Sequence, residues 1–510
     1  MSIPTRMCVS LLLSTLETTI VSTALVSITN ALDGFSRRDW IVTSYLLTYT
    51  GFLTIYAKFS DIFGRKVLFL LGIGIFVVFS ILCGVSQSIL TLIVLRAFQG
   101  LGASGIYSMV MVITPQVVPR TEVAKYMAIM SSVFALSSIL GPVLGGIITA
   151  HPESWQWVFY LNGPVGAIAF LLIVIFLPST PTDTAMFGLF YGKVPRRIGR
   201  RVDVAGALLL LAASLFLVFV FEEAGSRYAW ASAIIIAMLV LACICWILFP
   251  AWEYYLQHKQ AVQEPIFPVR LLNNRVMVGM MLYGFFTGFP FMAVIVNLTQ
   301  RFQDVNGVSS LHAGIYLLPM LLCSPLASGA SSFIVSKLKV APFYLIAGAA
   351  VLQLVGVCLV GTLASTPLIL QRQQFAYEVI LGLSFGTGLS MLLVLAALTV
   401  AEKDMGVAMG ALTQIRVLGG TLGLAICSTV FSNYTSSRLI NVVDAATLQQ
   451  ISDSATYINS LAPAEQAAVR TVYAQGYALQ MHVMAGFSGL VVLCSALIWQ
   501  RNPRFTLSST

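Results

Sequence analysis

Three ionisable side chains sit where an aqueous protein would not place them. Glu17, Arg96 and Glu378 each lie inside a run of apolar residues long enough to cross a bilayer, about twenty positions. Such a group costs several kcal/mol in lipid, in the range of about 2.5–3.5, unless it is paired, neutral or turned toward a cavity. A carboxyl in a low-dielectric surrounding favours the neutral acid, so it is a natural proton carrier. Arginine keeps its proton, but it can hold a nearby carboxylate charged until substrate or helix motion separates the two. Glu17 is therefore the first choice for a proton carrier, with Arg96 as its modulator and Glu378 as a further acid. For Glu17 the plainer reading, a hydrogen bond between packed helices, stays open.

Other stretches narrow the chemistry further. Lys58-Phe59-Ser60-Asp61-Ile62-Phe63-Gly64-Arg65-Lys66 joins two apolar runs through a tight turn, for which Gly64 supplies backbone freedom. Asp61 there is suited to bond a helix end or an arginine across the bundle, which makes Asp61, Gly64, Arg65 and Lys66 candidates for an inner gate. The alternative is an ordinary basic loop. Gly141-Pro142-Val143-Leu144-Gly145-Gly146 lies within another apolar run, Met127 to Ile148. Proline and three glycines would weaken a soluble helix, whereas membrane neighbours re-satisfy freed backbone groups and small residues let helices approach. Gly141, Pro142, Gly145 and Gly146 are expected to form a close-packed hinge between two halves of the molecule.

Several classes of function are excluded. Gly100, Gly102 and Gly105 match a dinucleotide pattern, but that fingerprint needs a preceding strand and a βαβ unit. No phosphate loop of the G-x-x-x-x-G-K-[ST] type occurs, so ATP is not the energy source. The eight cysteines form no CxxC pair, and the four histidines are scattered, so neither a disulfide framework nor a metal site is expected. No nucleophile, base and orienting group come together, so the chain is not expected to be an enzyme, and no cofactor is called for.

The elements that must hold these groups are membrane helices. Of 510 residues, 58% are hydrophobic and only 9% charged, against about 25% charged in soluble domains; mean hydropathy is +0.91. The net charge of +9 does not point to nucleic acid, because the basic residues are spread over short segments between apolar runs. Fourteen such runs can be counted, so both termini share one side. With the termini inside, 19 of the 28 Lys and Arg residues fall in inner segments and seven in outer ones, as the positive-inside rule requires. The segments divide into 1–178, a unit of six helices; 179–275, a basic linker (Lys193, Arg196, Arg197, Arg200, Arg201) plus two extra helices; and 276–510, six more helices with a long outer loop at about 432–478. The linker is suited to touch anionic lipid. Asn433-Tyr434-Thr435 is a glycosylation sequon on the outer side. Leu140–Gly145 is echoed by Leu418–Gly423, 278 residues on, as parallel repeats about a membrane-normal axis would produce.

Five stretches carry a resemblance. Gly141–Gly146 resembles the antiporter signature of the major facilitator superfamily, and Lys58–Lys66 its inner-loop signature, with Ala57 and Ile62 as departures. Leu16-Glu17-Thr18-Thr19-Ile20-Val21-Ser22-Thr23-Ala24-Leu25 is similar to the signature of the fourteen-helix drug:proton antiporters, with Glu17 for the usual aspartate and Val26 for a proline. Leu95-Arg96-Ala97-Phe98-Gln99-Gly100-Leu101-Gly102 resembles the stretch associated with proton coupling, and Trp157-Val158-Phe159-Tyr160-Leu161-Asn162-Gly163-Pro164 another family stretch, read here as an aromatic anchor. The likeness covers nearly the whole chain and is closest to fungal toxin and secondary-metabolite pumps. It implies an all-α membrane protein of two six-helix bundles with two extra central helices. It implies proton-coupled efflux of a small amphipathic compound by alternating access, through a monomer in the plasma membrane, or alternatively a vacuolar or vesicle membrane. Phe289, Asn297, Gln414 and Arg416 are expected around the central cavity. An importer of a nutrient or siderophore, and a non-transporting membrane sensor, are the alternatives.

Overall fold

The computed structural model describes residues 3–32, 38–118, 122–149, 154–179, 202–224, 228–259, 263–267, 269–363, 370–401, 404–440, 442–444 and 461–501. The basic stretch from Lys193 to Arg201 lies outside them. Long apolar runs with satisfied backbone groups leave the helix as the only open-ended solution in lipid, and among the described residues every regular element is helical, with one isolated β-bridge, Ala224 to Tyr228.

The first group is α1 (Ile3–Ala31), α2 (Arg38–Phe63), α3 (Arg65–Val85), α4 (Ile89–Val117), α5 (Val123–Ile148), α6 (Trp157–Tyr160) and α7 (Asn162–Phe176). Pro164 lacks the N–H that would bond the Tyr160 carbonyl, and α6 ends there. A pair follows, α8 (Val204–Glu223) and α9 (Ala233–His258). The second group is α10 (Arg275–Asp304), α11 (Ser310–Tyr316), α12 (Leu318–Leu338), α13 (Pro342–Gly361), α14 (Gln373–Thr399), α15 (Met405–Leu439) and α16 (Pro463–Leu497). Eleven helical segments among the described residues are long and apolar enough to cross a membrane; α1, α2 and α5 lie outside that number. The outward leucines and isoleucines of α9, such as Ile236 and Ile247, are exposed as a lipid-facing helix requires.

Packing in the two groups follows one plan. α1 lies on α5 as α10 lies on α15, α2 on α4 as α12 on α14, and α3 on α7 as α13 on α16. The groups meet through α2 with α15 and through α5 with α11 and α12, while α8 rests on both α2 and α15. The 278-residue echo falls at matching steps of this plan. A Cβ at Gly141 of α5 would meet Thr19 and Ile20 of α1; one at Gly419 of α15 would meet the Phe285 carbonyl of α10.

The outer loop expected at 432–478 is shorter. α15 runs on to Leu439 and α16 begins at Pro463. These extensions persist because they pack on each other: Phe431 lies against Tyr473 and Tyr477, and the Tyr434 hydroxyl meets Gln475 Oε1 at 2.9 Å. A polar sequence hid a helix whose buried face is aromatic.

Candidate functional site

Glu17 and Arg96, 79 positions apart, form an ion pair at the centre of the first group. Glu17 is 0% exposed and Arg96 1%. Arg96 Nη1 donates to Glu17 Oε1 and to Gln99 Oε1, the latter at 2.6 Å, and its Nε donates to the Ile41 carbonyl at 3.1 Å. The other carboxylate oxygen accepts from Asn162 Nδ2 at 2.6 Å. Gln99 Nε2 passes the chain on to Ser80 Oγ at 2.6 Å. Tyr45 closes one side, its ring 4.3 Å below the guanidinium and its hydroxyl bonded to the Ser14 carbonyl. Five helices thus contribute to one closed polar cluster, and a buried pair so fully bonded resists separation by anything less than helix movement.

Asn162, Gln99, Ser80 and Tyr45 were not assigned roles from the sequence. The signal was present: an amide inside an apolar run is as anomalous as a charge, since it too needs a partner. Read as an aromatic anchor, the Trp157 stretch gives Asn162 no role. Trp155, moreover, is buried against Phe159 at 6.2 Å, while Trp157 is exposed.

Glu378 lies in the second group, fully buried, and among the described residues neither carboxyl oxygen has a hydrogen-bond partner. It shares a face of α14 with Phe385, Gly386 and Leu389, which are seven, eight and eleven positions on. Those three line a central cavity between the groups. Glu378 itself is not among the lining residues.

Of the four residues expected in the cavity, Arg416 lines it. Phe289 does not: its ring stacks on Phe487 at 4.2 Å, because its backbone is pressed against Gly423 of α15. Phe291, two positions on, turns into the cavity instead. Asn297 borders a separate small space with Arg301, Tyr477 and Met481. Gln414 bridges the two groups: its Oε1 accepts from the Thr54 hydroxyl and, at 3.3 Å, from the Thr54 amide.

At the end rich in Lys and Arg, Asp61 pairs with Arg65 one turn on, at 3.2 Å, rather than with an arginine across the bundle. Gly64 has φ +96°, ψ 142°, a conformation reserved for glycine, which lets α3 start two residues after α2 ends. Lys66 Nζ donates to the Val174 and Leu177 carbonyls at 2.8 and 2.7 Å and so caps the end of α7. The ties that span the end are others. Lys58 meets Glu264 at 2.6 Å and Arg270 meets Asp404 at 2.7 Å, so the segment returning from α9 is fastened to α2 and to the start of α15. Gly410 adds a close contact there with Ala57, at 3.1 Å from a built Cβ.

Within the Gly141 stretch, Gly141 seats α5 against α1 of its own group rather than between the groups. Gly145 is buried and its carbonyl accepts from Thr149 N and Oγ1; Gly146 is half-buried, and the Pro142 side chain is outside the described residues. Asn433 stands on the exposed face of the α15 extension.

A buried ion pair and a central cavity, within two groups packed on one plan, are features that a membrane transporter requires. The Major Facilitator Superfamily model matches residues 7–187. The chain is 48% identical over 503 residues to the MFS-type transporter FPY5 of Fusarium mangiferae, covering 99% of this chain and 84% of that protein. It is 27% identical to the rubrofusarin-specific efflux pump aurT of Gibberella zeae, over 96% and 86% of the two chains. The crystal structure of the human organic anion transporter MFSD10 superposes with a TM-score of 0.61 at 16% identity, over 98% and 99% of the chains, a likeness of fold alone. The chain belongs to the Major Facilitator Superfamily. It is a multi-pass membrane transporter of small molecules related to efflux pumps, and not an enzyme.

Proposed function

We propose that the chain exports a small amphipathic organic compound, of the secondary-metabolite, toxin or drug type, in exchange for protons. The buried Glu17–Arg96 pair carries this reading. A carboxylate held by a guanidinium in a dry cluster takes a proton when the two are pulled apart and gives it up when they meet again. α1 and α4 bear the pair, and α5, which packs on α1, also meets the second group. Movement of one half on the other therefore reaches the proton site. Glu378 supplies a second acid on the cavity side of α14. The residues 1–178 and 276–510 act as the two rocking halves, α8 and α9 lie beside them, and the cavity between opens to each side in turn. The gate at the inner end comprises the Asp61–Lys66 turn together with the Thr54–Gln414 contact.

Names of relatives support the cargo class: one is a rubrofusarin-specific efflux pump, another an aspyridones efflux protein. An inside-negative potential contributes about 2.3 kcal/mol per 100 mV for each proton entering. The transporter works as a monomer in the plasma membrane, with Asn433 as a glycosylation acceptor. Loading expressing cells with candidate aromatic metabolites and following their efflux with and without a protonophore tests this. Efflux that collapses with the protonophore supports exchange with protons; efflux that continues unchanged refutes it.

A further inference from the structure

The central cavity presents one charge. Its wall is mainly Met111, Met130, Phe291, Phe385 and leucines, and its described lining includes no aspartate or glutamate. Arg416 is the one charged side chain among those lining residues. It is held in place by its backbone, since Gly288 of α10 has no side chain where the Arg416 carbonyl passes. The guanidinium carbon stands 5.6 Å from the Phe291 ring centre, and the residue is 9% exposed. Among the described residues, no carboxylate pairs with it. That sets it apart from Arg65, Arg96 and Arg270, each of which has an acidic partner.

A guanidinium offers five N–H donors in a planar fork that matches a carboxylate. In an apolar wall, an uncompensated cation attracts the opposite charge strongly and repels its own sign. The acids that would receive a cationic ligand are elsewhere: Glu17 is held by Arg96 and Asn162, and Glu378 lies beyond the lining. We propose that the cavity takes amphipathic organic anions, an aromatic or aliphatic body bearing a carboxylate or an ionised hydroxyl, with Arg416 receiving the charge. The body lies among Phe291, Phe385 and the methionines, whose flexible thioethers adapt to varied shapes. Tyr107 and Thr413 supply hydroxyls along the same wall. An anion leaving the cell also moves in the direction an inside-negative potential favours. This inference rests on the export reading only in taking the cavity as the cargo site.

The test is equilibrium binding to the purified full-length protein in lipid nanodiscs, which needs neither a proton gradient nor a transport direction. Failure here is thereby separable from failure of proton-driven export. Three probes share one body and differ in charge: biphenyl-4-carboxylate, its methyl ester and biphenyl-4-methylamine. The carboxylate is expected to bind the parent protein about tenfold or more tightly than the ester, as a charge-assisted bond in a dry site gives, with the amine weakest. Arg416→Met removes the preference, and Arg416→Lys keeps its sign. Equal or tighter binding of ester or amine to the parent, no saturable binding of the carboxylate, or a preference retained in Arg416→Met would each overturn the proposal. If Arg416→Met does not fold, the ranking on the parent protein decides.

Discussion

Arg96 and Glu378 occupy matching positions in the two halves. Each stands four residues before a glycine, Gly100 and Gly382, whose missing side chain lets its helix press on a neighbour's carbonyl, that of Tyr45 or Met320. The helices concerned, α4 on α2 and α14 on α12, are equivalents in the packing plan. The first half thus has a cation, paired to an acid, where the second has an acid that no described residue bonds.

That difference has opposite consequences for stability. Arg96→Met leaves the Glu17 charge buried and unpaired, which costs about 3–5 kcal/mol. Thermal unfolding in detergent should show the loss, and adding Glu17→Gln to Arg96→Met should recover most of it. A double variant no more stable than the single would show that the pair does not act as a unit.

Glu378→Gln breaks no hydrogen bond, so its stability should stay within about 1 kcal/mol of the parent. Proton-driven transport should nevertheless fall, because the acid on the cavity face of α14 is gone. Normal transport in this variant would remove Glu378 from the proton path.

The glycine steps of α5 and α15 should respond alike. Gly141→Val and Gly419→Val place methyl groups against Thr19 and the Phe285 carbonyl and should each cost about 1–3 kcal/mol. Gly74→Val and Gly348→Val, where nothing lies within 4 Å of the added Cβ, serve as controls and should fold normally. Equal behaviour of all four would contradict the close-packing role.

Gly64→Ala should destabilise the α2–α3 turn by about 1–3 kcal/mol, since φ +96° with ψ 142° is open to glycine alone. Gly64→Asn should not rescue it, because asparagine tolerates the left-handed helical region and not this one. Folding yield and thermal midpoint of the two variants check this.

The segment returning from α9 offers a separate test. Lys58→Glu should loosen the inner end, and pairing it with Glu264→Lys should restore the contact. Stability will change by no more than about 1 kcal/mol, as the pair is partly exposed. The readout is limited proteolysis of the segment between α9 and α10, which should quicken in the single variant and return to the parent rate in the double.

Most of the helices were legible in the sequence because twenty apolar residues in a row have few other fates, and the Glu17–Arg96 pair because charge in lipid demands a partner. What hydropathy could not supply was direction. Phe289 and Phe291 differ by two positions and face different spaces, a rotation fixed by the glycines of α15. Asp61 suits either a helix end or an arginine across the bundle; the arginine it meets, Arg65, is one turn away, and the span is made by Lys58 with Glu264 and by Arg270 with Asp404, Glu264 and Arg270 belonging to a segment outside the long apolar runs. The α15 and α16 extensions were hidden in the same way, since their burial is against each other and not in lipid.

Coupling of export to protons through Glu17 can be measured. Purified protein in liposomes, with an imposed pH gradient and a pH-sensitive dye in the lumen, tests it most directly with biphenyl-4-carboxylate as cargo. Cargo movement should be accompanied by opposing proton movement, and Glu17→Gln should abolish the proton flux and gradient-driven accumulation while cargo binding persists. Cargo accumulation driven by the gradient at the parent rate in Glu17→Gln would contradict it.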